Sequence, residues 1–110
     1  MAISSLITNS VGTSTTVRLD SAGTTGARSG SEGGLMVSNT STTQTLLIDV
    51  CPSSETPTIS ATAYLYKVDP GASVFVLLDS GDSVWGLMDP AVSGTATICS
   101  RATTKERFFA

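Results

Sequence analysis

The sequence predicts an all-β protein: a single β-sandwich or jelly-roll-like domain of about seven or eight short strands. Three observations carry this. Apolar and polar residues alternate with a period of two in residues 44–51, 58–66 and 95–101, which puts each set on its own face of a strand. Turn signals such as Asp69-Pro70-Gly71, Ser80-Gly81-Asp82 and Asp89-Pro90 separate the runs. No apolar pattern of period 3.6 persists long enough for a helix beyond about two turns.

Taken in order, residues 2–11 form the first expected strand. Ile3, Ile7 and Val11 share one face, with Ser5 and Asn9 between them. This strand is polar enough to pair with a neighbouring subunit as readily as with its own sheet. A short strand at 15–19 places Val17 between Thr16 and Arg18. Residues 20–34 are rich in Gly and Ser, carry little to bury, and read as a flexible surface loop. The loop's glycines lack the Gly-Lys-Ser/Thr ending of a phosphate loop, and no helix pattern follows.

Leu35-Met36-Val37 is the next expected strand. Asn39-Thr40-Ser41 matches a glycosylation triplet, which carries no meaning without a secretory signal. In the strand at 44–51, Leu46, Ile48 and Val50 face one way, and Leu47, Asp49 and Cys51 the other. Pro52 and Pro57 bound the loop that follows. Residues 58–88 then read as a three-stranded meander around which the domain is built. In its first strand Ile59, Ala61, Ala63 and Leu65 share a face. Its second, residues 74–78, is apolar on both faces and is expected to be a central strand covered on both sides. Its third contains Trp85, the only tryptophan, expected to anchor a core or an interface. Residues 95–101 give the last clear strand, with Ala96 and Ile98 on one face.

Composition bounds the function. The 110 residues make one domain, with terminal arms at either end. Charged residues are 14%, against about 25% in an average globular domain. Mean hydropathy is +0.22. So weakly charged a surface would be adhesive on a monomer, and burial in an assembly resolves that most directly. The net charge is −3 and the basic residues are scattered, which excludes nucleic acid as the expected partner. No run reaches transmembrane length and no membrane contact is expected. Residues 1–6 lack a basic segment and a long apolar one, so no signal peptide is expected and synthesis in a cytoplasm is. In that reducing compartment Cys51 and Cys99 are expected as buried thiols, unless neighbouring strands bring them within bridging distance.

The chain contains no histidine. That removes the commonest general base, the Ser-His-Asp and Cys-His arrangements and most zinc sites. No catalytic residue, metal or cofactor is therefore expected, and the protein is read as a non-enzyme. Residues 76–81, Val-Leu-Leu-Asp-Ser-Gly, resemble the Asp-Ser/Thr-Gly signature of retroviral-type aspartic proteases, with Asp79 as the one candidate catalyst. The glycine-rich flap and the later apolar-Gly-Arg element of that family are missing, and an Asp-Ser-Gly-Asp turn explains the same residues. A carbohydrate-binding or adhesion sandwich is a further alternative, with Tyr64, Tyr66 and Trp85 as stacking residues.

The low charge, the Ser, Thr and Gly content and the small all-β architecture resemble, in overall character, small virion proteins of tailed bacteriophages, nearest to capsid decoration (cement) proteins. The resemblance implies a structural protein of the virion, made in the host cytoplasm. It implies a homo-oligomer, commonly a trimer, that binds a major capsid or other virion protein and stabilises the shell through terminal arms. The expected interface residues are Ile3, Ile7 and Val11 on the first strand, and Arg107, Phe108 and Phe109 in the C-terminal tail. Adjacent phenylalanines on a strand point to opposite faces, so one domain face does not bury both. Each buried phenylalanine is worth about 1.5–3 kcal/mol, so the pair is expected to insert into this domain's own core or a partner's groove, and the residue left on the other face favours a partner.

Overall fold

The computed structural model describes residues 7–20, 33–52, 54–78 and 81–104. It is all-β, with eight strands in two antiparallel four-stranded sheets packed face to face. The strands are β1 (Ile7–Val11), β2 (Val17–Arg18), β3 (Gly33–Asn39), β4 (Leu46–Pro52), β5 (Tyr66–Val68), β6 (Ser73–Leu78), β7 (Asp82–Met88) and β8 (Ala96–Thr104). Sheet A has the order β1-β8-β3-β6 and sheet B the order β2-β7-β4-β5. The pairs β1·β8, β2·β7, β3·β6 and β4·β5 describe a chain folded in half into a long antiparallel ribbon with β4–β5 at its tip. The ribbon is then rolled, so that β8 also pairs with β3 and β7 with β4. This is the double Greek key of a jelly roll.

The core forms where the period-two patterns converge. Val11, Leu35, Val37, Val76, Leu78 and Ile98 point inward from sheet A. Leu46, Ile48, Val68, Val84 and Met88 meet them from sheet B, with Leu19 just beyond β2. Leu19 extends the β2 pairing by donating its N–H to the Val84 carbonyl at 2.7 Å. Each such side chain withdraws enough apolar surface from water to contribute about 1.5–3 kcal/mol.

Asn39, at the end of β3, is buried because three backbone segments converge on it. Its Nδ2 lies 2.8 Å from the Gln44 carbonyl, 3.1 Å from that of Val68 and 3.3 Å from that of Asp69. Its Oδ1 accepts from the Ser41 N–H at 3.1 Å. The side chain is thus committed to joining the 40–45 turn to the β5–β6 connection, and the glycosylation triplet is closed in the folded chain. Asn39→Ala takes the amide from the buried contacts with the Gln44 and Val68 carbonyls and is expected to cost about 1–3 kcal/mol. Urea unfolding followed by tryptophan fluorescence measures it as a lowered midpoint at unchanged slope.

Several sequence expectations are corrected. The meander does not form: β5, β6 and β7 alternate between sheets B, A and B, and no two of them pair. Residues 58–65 are not a strand; Ala61, Ala63 and Leu65 are exposed. The small side chains on that alternating face bury too little area to hold a strand. Ser60 also bonds locally, its Oγ accepting from the Thr62 N–H at 3.3 Å, while Ser60 and Ala63 close a tight turn. β6 is an edge strand of sheet A rather than a central one. The two ends of the expected loop at 20–34 are not loop. Asp20 is buried in an ion pair, and Gly33 and Gly34 belong to β3; residues 21–32 lie outside the described residues. Cys51 and Cys99 are free and only half-buried. Cys51 packs against the Trp85 cluster outside sheet B, while Cys99 follows inward-facing Ile98 and so points outward from sheet A. With the sheets about 10 Å apart between them, no intrachain bridge forms.

Candidate functional site

The two outer faces of the sandwich differ. Outside sheet B, Leu47, Trp85 and Leu87 form a second apolar cluster, with Cys51 at its margin. The segment between β4 and β5 folds back over it and inserts Ile59. Trp85 is 8% exposed, and its Nε1–H donates to Ser83 Oγ at 2.8 Å. Ser83 Oγ in turn donates to the Cys51 carbonyl at 3.0 Å. Arg18 stands opposite Trp85 in the β2·β7 register. Its guanidinium grips the Asp20 carboxylate through Nε at 2.6 Å and Nη2 at 3.3 Å, both side chains buried. This face is already covered by the protein's own chain.

The outer face of sheet A has no such cover among the described residues. The registers place Thr8 and Ser10 of β1 beside Cys99 and Thr97 of β8, a polar half. They place Met36 beside Arg101 on one side and Phe75 on the other, and Gly34 beside Leu77. Phe75 lies over Gly34, where a Cβ would come within 2.4 Å of its ring, so glycine is required for the ring to lie flat on the sheet. Leu77 is 62% exposed and Met36 42%. A band of apolar surface therefore runs from β3 across β6 to the rim of the sheet.

That rim is unusual. The four edge strands are β1 and β6 in sheet A, and β2 and β5 in sheet B. β2 has two residues; β5 has three, including Lys67; the outward residues of β1 are Thr8 and Ser10. β6 has six residues, Ser-Val-Phe-Val-Leu-Leu, in unbroken register with β3. It carries no charge, no proline and no bulge, the devices that normally keep an edge from pairing with another chain.

Of the expected interface residues, Val11 is fully buried in the core and Ile7 is half-buried on the same side of β1. Ile3, Arg107, Phe108 and Phe109 lie outside the described residues. The aromatic platform is not assembled: Tyr66 packs against the inner core, Trp85 is in the outer cluster of sheet B, and Tyr64 is exposed in the connecting segment. Asp79 lies outside the described residues; Gly81, two positions on, has φ of 91° and leads into β7. Among the described residues no three His, Cys, Asp or Glu side chains are grouped to hold a metal ion. A central position for 74–78 would cover Leu77, whereas the edge position opens the Met36–Leu77 band. The signal for it was present in the two-sided apolarity of 74–78 and in the outward parity of Met36 relative to Leu35 and Val37. No protein-family model, curated protein or solved structure matches this chain.

Proposed function

We propose that this chain is a non-enzymatic structural subunit of a viral particle, in the manner of a capsid decoration protein. In this reading it forms a homo-oligomer, a trimer in its simplest form, and docks on a major capsid or other virion protein to stabilise the shell. The observation that carries the reading is the apolar outer band of sheet A, Met36 and Leu77 with Phe75 between the strands, ending at an unprotected edge strand. A soluble monomer gains nothing from such a surface, and an assembling subunit does. The jelly roll is compatible with this but also serves lectins, so fold alone does not choose. The sugar-binding alternative has no aromatic platform in its favour. Light scattering on the purified chain across a range of concentrations tests the proposal. A discrete mass at a multiple of the 11.2 kDa chain, three being the expected number, supports it. A single-chain mass at every concentration overturns it.

A further inference from the structure

We propose that the edge strand β6 of one copy is completed by the C-terminal segment of a second copy, whose residues 105–109 add to it as a fifth, antiparallel strand of sheet A. This rests on the assembly reading above and names its surface and occupant. The first argument is the edge itself. Among the described residues β6 is bordered by β3 on one side and by no strand on the other, and of the four edges there it is the longest and the most apolar, with no charge, proline or bulge. Strand addition supplies main-chain hydrogen bonds to such an edge and uses side-chain contacts on both faces for selectivity.

The second argument is what the tail carries. Phe108 and Phe109 are adjacent, so in an added strand they point to opposite faces. At the β6 edge both faces are apolar. On the outside lie Met36 and Leu77. On the inside, β5 and β6 close the same side of the sandwich, and Val68 and Val76 reach the core there. A strand at this position gives each phenylalanine a surface, which neither face of a closed sandwich does alone.

The third argument selects a second copy over the chain's own tail. Gly33 is opposite Thr104 of β8 and opposite Leu78 of β6, so β8 and β6 run in the same direction and end in the same row. Reaching the far side of its own β6 requires a lateral crossing of three strand spacings, about 14 Å. Phe108 is four residues past Thr104, and four extended residues span about 14 Å at most. The crossing consumes that reach before the chain reverses to run along β6. A tail leaving another copy in line with its own β8 has no such crossing to make.

The experiment uses full-length chains with Cys51→Ser and Cys99→Ser to remove the native thiols. One chain carries Leu77→Cys; two others carry Phe108→Cys or Phe109→Cys. Circular dichroism establishes that each is folded as the parent. Pairwise mixtures are oxidised and resolved by mass. Strand addition requires a disulfide-linked heterodimer with one of the two tail variants and at least a tenfold lower yield with the other, because alternate residues face opposite sides. In parallel, Phe108→Ser/Phe109→Ser in the otherwise natural chain is expected to reduce the oligomer to a single-chain mass. Heterodimers with neither tail variant, or with both equally, overturn the proposal. So does efficient linkage of Leu77→Cys chains to each other alone, which indicates edge-to-edge pairing of two β6 strands. An oligomer that survives the double serine substitution also overturns it, while leaving the assembly reading intact; that reading falls only if the natural chain is itself monomeric.

Discussion

Replacing Gly86 with leucine is expected to lower the stability of the fold by about 3 kcal/mol or more, at the upper end for an overpacked core. Gly86 sits in the middle of β7, opposite Ile48 on one side and Val17 on the other, facing the core. A Cβ there would come within 2.8 Å of Leu19 Cδ1 and 3.1 Å of Leu46 Cδ1. Leu19 and Leu46 are fully buried, so neither moves into solvent to make room. The position holds glycine because the two leucines already fill the space, not because of its backbone angles. For a domain of this size the change corresponds to a fall in Tm of roughly 10–20 °C, read by thermal unfolding. Leu19→Ala introduced together with Gly86→Leu is expected to recover part of the loss, since it returns the volume. A double variant no more stable than Gly86→Leu would place the cause elsewhere than this contact.

The second large effect is expected at the buried ion pair. Asp20→Asn leaves the Arg18 guanidinium enclosed without its counter-charge, and breaking one side of a buried pair costs about 3–5 kcal/mol. Arg18→Met/Asp20→Leu removes both charges and is expected to be milder than Asp20→Asn alone, because no stranded charge remains. Chemical denaturation of the three proteins measures this order. If Asp20→Asn were as stable as the parent, the pair would be open to water and the packing of Arg18 against the Trp85 strand would need another account.

These sites show what the sequence disclosed. The period-two set Leu46, Ile48 and Val50 and the turn residues at 69–71 and 89–94 are local signals, and local physics honours them: the strand class, the inward set of β4 and the absence of helix in the described residues follow from them. Which sheet a strand joins is not local. Residues 74–78 are apolar on both faces, and so is much of β7; the segment carrying Ile59 covers β7, and among the described residues no segment covers β6. Val11 was expected at an interface because its strand is polar overall, yet one face of that strand is needed to close the core. The alternation rule puts Arg18 on the face away from Val17 and the composition of 20–34 puts Asp20 in a loop, and neither shows that Trp85 stands opposite. Met36 and Leu77 were each visible as apolar residues, but only the β3·β6 register brings them into one band.

The central claim is that this band is an assembly surface, and the light-scattering mass of Leu77→Asp beside the natural chain tests it most directly. Leu77 is largely exposed in the single chain, so the substitution is expected to change folding stability by no more than about 0.5 kcal/mol. A charge buried in an apolar contact between subunits is not tolerated in that way. Leu77→Asp is therefore expected to run at the 11.2 kDa of one chain with an unchanged circular dichroism spectrum, while the natural chain runs at a multiple of it and Thr8→Asp, on the polar half of the same face, matches the natural chain. An oligomer of undiminished mass in the folded Leu77→Asp protein would contradict the account.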